Sequence, residues 1–364
     1  MPSAVRTTDY MARPIFAHID TDALKHNLGV IRNHAGTARI MAVIKANGYG
    51  HGMAKVARAL WTTDGFAVAS IDEAIQLREL GWLKPILLLE GVFGADEIAA
   101  CVNHRIAITV HHFDQIRMLQ ASKPAQSLAL FLKLNSGMNR LGFEPQDFLR
   151  ALAQLQAMQT CTDITLMSHF ATADDAYGIA DQLQVIQTCF DELPYPVSLA
   201  NSAALFRYPA SRGDWVRPGI ALYGASPFAD TAASALDLRP AMTLHSRIIA
   251  VQTLKPGDAL GYGRTWIADR PSRIGVVACG YADGYPRHAP TGTPILVNGQ
   301  LTRTLGRVSM DMMFADLTGL PDADAGSAVI LWGKGLPVES VASAAGTISY
   351  ELLCARAQRV PDHE

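Results

Sequence analysis

Cysteine is scarce and scattered. Cys101, Cys161, Cys189, Cys279 and Cys354 stand far apart in a chain of 364 residues, with no Cys-x-x-Cys and no paired histidine spacing, so neither a zinc site nor a disulfide framework is indicated. Their odd number favours a reducing compartment. An excess of one charge is missing too: 31 basic and 33 acidic residues are mixed along the chain, for a formal charge of -2, which leaves no basic stripe for nucleic acid or an anionic membrane. No apolar run reaches the roughly 18 residues of a membrane span, and the charged opening Met1 to Arg13 lacks the apolar core of a secretion signal. A cytoplasmic protein acting on a small neutral or zwitterionic molecule is expected.

What is present is an ordinary globular composition, 49% hydrophobic and 18% charged, at a length that suits two domains or a barrel with an addition. Ile15 to Ile19 reads as a leading strand, and Thr21-Asp22-Ala23-Leu24 as a capped helix start. Eight apolar runs follow: Ile40 to Ile44, Phe66 to Ala69, Ile86 to Leu89, Ile106 to Val110, Leu128 to Leu134, Ile164 to Met167, Val197 to Leu199 and Trp215 to Leu222. Segments with apolar residues at helical spacing lie between them, as in Met53 to Leu60, Ile71 to Leu80, Gln146 to Met158 and Ile179 to Leu193. This alternation predicts an α/β fold with an N-terminal (β/α)8 barrel over residues 1–236. A doubly wound open sheet competes, but no Gly-x-Gly-x-x-Gly follows the first strand; Gly48, Gly50 and Gly52 have the wrong spacing for a dinucleotide loop. From residue 237 the rhythm changes to short alternating runs with turn pairs such as Pro256-Gly257 and Asn298-Gly299, the pattern of a mainly antiparallel β domain. Val338 to Ala345 and Tyr350 to Arg356 read as late helices.

In a barrel, chemistry gathers at the carboxyl ends of the strands. Lys45 directly follows the buried run Ile40 to Ile44. Desolvation against apolar walls disfavours an ammonium ion, so a lysine so placed is a candidate amine nucleophile, for a carbonyl substrate or for pyridoxal phosphate (PLP); the plainer reading is a strand-end lysine that snorkels to solvent. Lys133, His169, Asn201, Ser202, Arg217 and Gly219 occupy other strand ends. Each has a structural alternative: His169 as a core histidine bonded to a carbonyl, Lys133 as a buried lysine paired with a carboxylate, Arg217 as a brace of the rim, Ser202 as a helix N-cap. The loops after strands seven and eight of a barrel commonly hold phosphate, which makes Ser202, Gly219 and Ile220 candidate phosphate ligands. In the second half, Gly261-Tyr262-Gly263, Gly280-Tyr281-Ala282-Asp283-Gly284 and Ser309-Met310-Asp311-Met312 are polar clusters, although glycine-flanked tyrosines are often simple turn residues.

Val-Ile-Lys-Ala-Asn-Gly-Tyr-Gly-His-Gly, around Lys45, resembles the cofactor-lysine signature of the alanine racemases, PLP enzymes built on a barrel. Lys-Leu-Asn-Ser-Gly-Met-Asn-Arg-Leu-Gly and Trp-Val-Arg-Pro-Gly-Ile-Ala-Leu-Tyr-Gly are similar to two further family segments, and the three clusters of the second half match others, so the resemblance spans nearly the whole chain. It implies that Lys45 carries PLP and that Tyr49 and Tyr350 bind its phosphate. It implies that Arg217 contacts the pyridine nitrogen, and that Arg140 bonds the phenolic oxygen and reaches the substrate carboxylate; the positive charge that Tyr262 needs would come from Arg140 and Arg217, with His169 relaying to Arg217. It further implies that a carbamylated Lys133 orients Arg140, that Tyr281 and Tyr350 narrow the entrance, and that the other subunit of a homodimer supplies Tyr262 as second base and the Met310 N–H, next to Asp311, for the substrate carboxylate. Many members have aspartate where this chain has Asn135, which alters the surroundings of Lys133.

Racemisation requires two bases on opposite faces of a planar intermediate, because one base tends to return the proton to the face it left. By the resemblance, Lys45 serves D-alanine and Tyr262 serves L-alanine; a phenol needs positive charge nearby to act as a base near neutral pH. The rivals are a broader-specificity amino acid racemase, a barrel-type PLP decarboxylase, a non-catalytic PLP carrier and a Schiff-base aldolase. A decarboxylase lacks the Tyr262 motif, a carrier ends after the barrel, and an aldolase has no use for the phosphate-type strand ends.

Overall fold

A computed structural model describes residues 13–363 apart from 124, 125, 159 and 162; of the opening stretch Met1 to Arg13, only Arg13 falls within them. The chain forms two compact units. One is Thr21–Arg239, and the other joins Pro240–Glu364 to the described residues of Met1–Asp20.

The strand β1 (Phe16–Ile19) opens the described chain, and the strands of the first unit follow as β2 (Arg39–Val43), β3 (Gly65–Val68), β4 (Ile86–Leu88), β5 (Ala107–Val110), β6 (Ala129–Lys133), β7 (Asp163–Met167), β8 (Val197–Ser198) and β9 (Trp215–Val216). From β2 to β8 each pairs in parallel with the next, and β2 also pairs with β9. The ring closes where Asp214 N–H donates to Val197 O at 2.8 Å and Arg217 N–H to Ala200 O at 2.7 Å. The strands are continuous aliphatic runs because both faces are covered: Ile40, Met41, Ala42 and Ile44 are fully buried, as expected for a parallel sheet with helices outside. The helix Pro145–Gln156 shows how the outer layer is written, turning Phe148, Ala151, Leu152 and Leu155 inward at a spacing of three and four residues.

One apolar run does not stay a strand. Trp215 to Leu222 breaks at Val216, because Pro218 has no N–H for a ladder, and Ile220–Tyr223 winds into a 3-10 turn instead. Arg217 and Gly219 therefore lie in the connection after the last strand.

The second unit is built on β10 (Met242–Leu254), which pairs antiparallel with Ser272–Val277, with Ala328–Trp332 and with β1. The leading strand thus belongs to this sheet and not to the barrel: Phe16 stands opposite His245, their rings stacked at 4.8 Å. The boundary between the units falls between Arg239 and Pro240, whereas residue 236/237 is expected from the change of rhythm. Asn298 (φ 48°) and Gly299 (φ 77°) turn the hairpin Pro294–Val297 to Gln300–Leu305, the left-handed pair that a two-residue loop needs. Late helices occupy Val338–Ala345 and Ser349–Cys354. Among the described residues no helix is long and apolar enough to cross a membrane, and no group of three or more His, Cys, Asp or Glu could hold a metal ion.

Candidate active site

Lys45 is the first residue beyond the fully buried Ile44, and the backbone after it is unusual. Ala46 (φ 53°), Asn47 (φ 54°), Gly48 (φ 63°), Tyr49 (φ 50°) and Gly50 (φ 77°) are all left-handed, a run that costs L-residues about 1–2 kcal/mol each. The surroundings offset this. Asn47 Oδ1 accepts the Met53 N–H at 2.9 Å, and Glu73 accepts the N–H groups of Asn47 and Ala69 at 3.3 and 3.0 Å. A Cβ at Gly48 would approach Val56 to 2.9 Å, so the turn is closed against the helix that follows. Helical periodicity does not mark Glu73, but Ser70-x-x-Glu73 is a capping-box pattern, and Ser70 does cap Ile71–Glu79. Asn47→Ala is expected to lower stability by about 1–2 kcal/mol, through loss of the cap at Met53, read as a lower urea midpoint at unchanged slope.

Lys133, the last residue of β6, is 6% exposed. Burial, then the charges of Arg217 and Arg140, push its amine down to about 8, with Glu90 acting in the opposite sense and Lys45 adding to the depression. His169, just beyond β7, is driven well below the ordinary imidazole range by burial and then by Arg217, Lys133, Arg140 and Lys45. Lys45, Lys133, Arg140 and Arg217 thus all act on His169, and three of them on Lys133, at the mouth of the barrel, a positive field suited to anionic ligands. Glu90, two residues beyond β4, carries no mark in the sequence, because nothing in its spacing matches a motif.

Arg217 is held from several sides. Its Nη1 donates to Ser198 Oγ at 2.6 Å, and its Nη2 to the carbonyls of Ser168 at 2.6 Å and Leu199 at 3.2 Å, with His169 Nδ1 at 3.5 Å. Burial lowers its guanidinium to about 10, so it stays protonated at neutral pH. Below it, Gln182 Nε2 donates to Ser136 Oγ (3.0 Å) and His169 O (3.1 Å), while its Oε1 accepts the Ala171 N–H (2.7 Å). This buried amide ties the strand end of His169 to the loop that leads to Arg140. Asn135 turns toward that loop as well, donating to Asn139 Oδ1 (2.9 Å) and Glu144 Oε1 (2.8 Å). An aspartate at 135 would set a like charge against Glu144, so the amide belongs with Glu144.

The phosphate-type candidates also meet. Ser202 Oγ accepts the N–H of Gly219 at 2.9 Å and of Ala221 at 3.4 Å. Its reading as an N-cap is corrected: Asn201 Oδ1 caps the short helix through the Ala204 N–H at 2.9 Å, which leaves the Ser202 hydroxyl facing the 219–221 turn. Tyr49 stacks on Tyr223 at 4.6 Å. A Cβ at Gly219 would lie 2.6 Å from the Tyr49 hydroxyl. Hydroxyls of Tyr49 and Ser202 and the backbone of Gly219 and Ile220 therefore share one small space.

The remaining candidates lie in the second unit. Tyr262 is 73% exposed, Met310 53% and Tyr281 38%. Tyr262 opens a turn between Gly261 (φ 64°) and Gly263 (φ 73°), and Tyr350 sits in the helix Ser349–Cys354. Asp311 accepts from Arg359 at 2.7 Å.

A parallel barrel with a lysine and a cationic cluster at its carboxyl mouth, continued by an antiparallel sheet unit, defines a barrel enzyme with an appended β domain. Comparison with known proteins narrows this class. The profile of the alanine racemase N-terminal domain matches residues 19–227 and that of the alanine racemase C-terminal domain residues 241–364, and the chain belongs to the alanine racemase family. An alanine racemase of Thiobacillus denitrificans is 58% identical, covering 97% of this chain and 96% of the relative. One of Nitrosomonas eutropha is 54% identical over 96% of this chain and 99% of its own. The crystal structure of the biosynthetic alanine racemase from Pseudomonas aeruginosa superposes with a TM-score of 0.95 at 45% identity, over 96% of this chain and 99% of that one.

Proposed function

We propose that the chain is a PLP-dependent racemase that interconverts L-alanine and D-alanine as a cytoplasmic homodimer, making or consuming D-alanine for cell-wall precursor metabolism. The observation that carries the reading is the convergence of Lys45, Lys133, Arg140, His169 and Arg217 in one electrostatic neighbourhood.

The residues fit PLP by the chemistry of their donors. Tyr49, Ser202 and the backbone at Gly219 and Ile220 would hold the phosphate, with Tyr350 as a further ligand, and the glycine leaves the space a side chain would fill. Arg217 keeps its proton and is braced by Ser198, Ser168 and Leu199, so it would donate to the pyridine nitrogen of PLP without protonating it. Bound PLP supplies the electron sink that makes the substrate α-proton removable. Lys45, which would carry PLP, takes or returns that proton on one face, and the Tyr262 phenol does so on the other. Arg140 and the Met310 N–H bind the substrate carboxylate; Tyr281 and Tyr350 restrict the entrance to small side chains. The exposure of Tyr262 and Met310 suits groups delivered to a partner subunit.

The direct test is the circular dichroism of L-alanine followed with the purified, PLP-loaded protein. Decay to zero is expected, and a steady signal or release of an amine would overturn the reading. Gly219→Ala should weaken PLP retention by about tenfold, since the added methyl displaces the Tyr49 hydroxyl and leaves the barrel core alone; PLP titration checks it.

A further inference from the structure

Three segments of the second unit that bear candidate site residues meet at one buried carboxylate. Asp283 is fully buried, and its Oδ1 accepts from Arg13 Nη1 at 2.6 Å and Arg359 Nε at 2.8 Å, while its Oδ2 accepts the Gly280 N–H at 2.9 Å. The same two arginines continue to the next segment: Arg13 Nη2 donates to Asp311 O and Arg359 Nη2 to Asp311 Oδ1, both at 2.7 Å. Between these fixings the backbones are joined directly, Tyr281 N–H to Ser309 O and Ala282 N–H to Met310 O, both at 3.0 Å. On the other side Asp283 O accepts the Ala357 N–H at 3.2 Å, just beyond the helix that carries Tyr350. The fit is tight, since a Cβ at Gly280 would lie 2.3 Å from Met310 O and one at Gly284 2.3 Å from Ala355 O.

Burying a carboxylate with two arginines is a costly way to stabilise a loop, because apolar packing of similar volume is often as stable or more so. What the ion cluster adds is geometry: charge-assisted bonds of fixed direction at Asp311, directly after Met310, and at Gly280, whose neighbour Tyr281 bonds the Ser309 carbonyl before it. Among the described residues the Met310 N–H itself has no acceptor in the protein, although its carbonyl is engaged.

We propose that Asp283, gripped by Arg13 and Arg359, is a positioning residue that aims the Met310 N–H and fixes Tyr281 and Tyr350 around it, so that its grip governs recognition of the substrate carboxylate. This rests on the reading of Met310 given above. The two arginines and Asp283 lie far apart in sequence and act only through the segments they hold.

The test uses the PLP-loaded enzyme with Arg359→Gln, Arg359→Lys and Asp283→Asn, each checked for assembly by sedimentation and for bound PLP by absorbance. Arg359 is the first choice because its side chain is 40% exposed, so the protein is expected to fold without it. The KM for L-alanine should rise on the order of tenfold in Arg359→Gln with kcat changed far less, and Arg359→Lys should recover part of it. The inhibition constant of propanoate, a carboxylate without an amine, should rise in parallel. An unchanged KM and propanoate inhibition in folded Arg359→Gln would overturn the proposal, as would a loss confined to kcat. If the wild-type protein itself fails to racemise alanine, the fault lies in the functional reading, which is thereby distinguished from failure of the positioning role.

Discussion

Tyr262→Phe is expected to lower racemisation of alanine by about 100- to 10,000-fold in both directions while the visible absorbance of bound PLP stays as in the wild type. The expectation follows from stereochemistry. Each catalytic cycle must take a proton from one face and deliver one to the other, so removal of either carrier stops both directions. Phenylalanine keeps the ring, and the turn is shaped by Gly261 and Gly263 in left-handed conformations; with the side chain 73% exposed, little folding energy depends on the hydroxyl. The loss should therefore be chemical. A second readout separates the two proposed bases: in deuterated water the variant should still exchange the α-proton of D-alanine, because Lys45 is the base proposed for that face, yet the D-alanine should not invert. Racemisation near the wild-type rate would remove Tyr262 from the mechanism. Exchange lost together with inversion would assign the D-face to Tyr262.

How much of this was legible without coordinates depends on the range of the interaction. The barrel was, because its parallel strands are short apolar runs that alternate with segments of helical spacing, a local signal repeated along the first unit. The hairpin at Asn298-Gly299 was legible for the same reason. Lys45 stood out by sitting directly beyond such a run. The left-handed turn from Ala46 to Gly50 was only hinted at by its glycines, since Ala46 and Tyr49 carry no mark of the conformation they are held in. Longer-range features left no trace. Nothing in Phe16 to Ile19 says that the strand pairs with residues 242–245, and Arg13 meets Asp283 across 270 positions of sequence. For Ser202 the sequence leaves two readings open, phosphate ligand or helix N-cap, because serine and asparagine cap equally well; Asn201 takes the cap, which leaves the Ser202 hydroxyl to the 219–221 turn.

Lys45→Ala should abolish racemisation, by about 10,000-fold or more, since on the proposed mechanism one substitution removes both the amine that would carry PLP and one of the two proton carriers. It should also abolish trapping: borohydride treatment of the loaded wild type is expected to fix PLP on the peptide containing Lys45, and the variant should yield no fixed adduct. Lys133 is the demanding control. Burial and neighbouring cations bring its amine down to about 8, so near neutral pH it carries a larger neutral fraction than an ordinary lysine, which makes it the rival amine for the cofactor. Access decides against it. Lys133 is the last residue of a barrel strand and 6% exposed, whereas Lys45 stands two residues beyond its strand on a turn that leaves Ala46 and Asn47 exposed. A wild-type adduct on Lys133 would mean that basicity outweighs placement at this barrel mouth, and the assignment of the two faces would have to be rebuilt around that lysine.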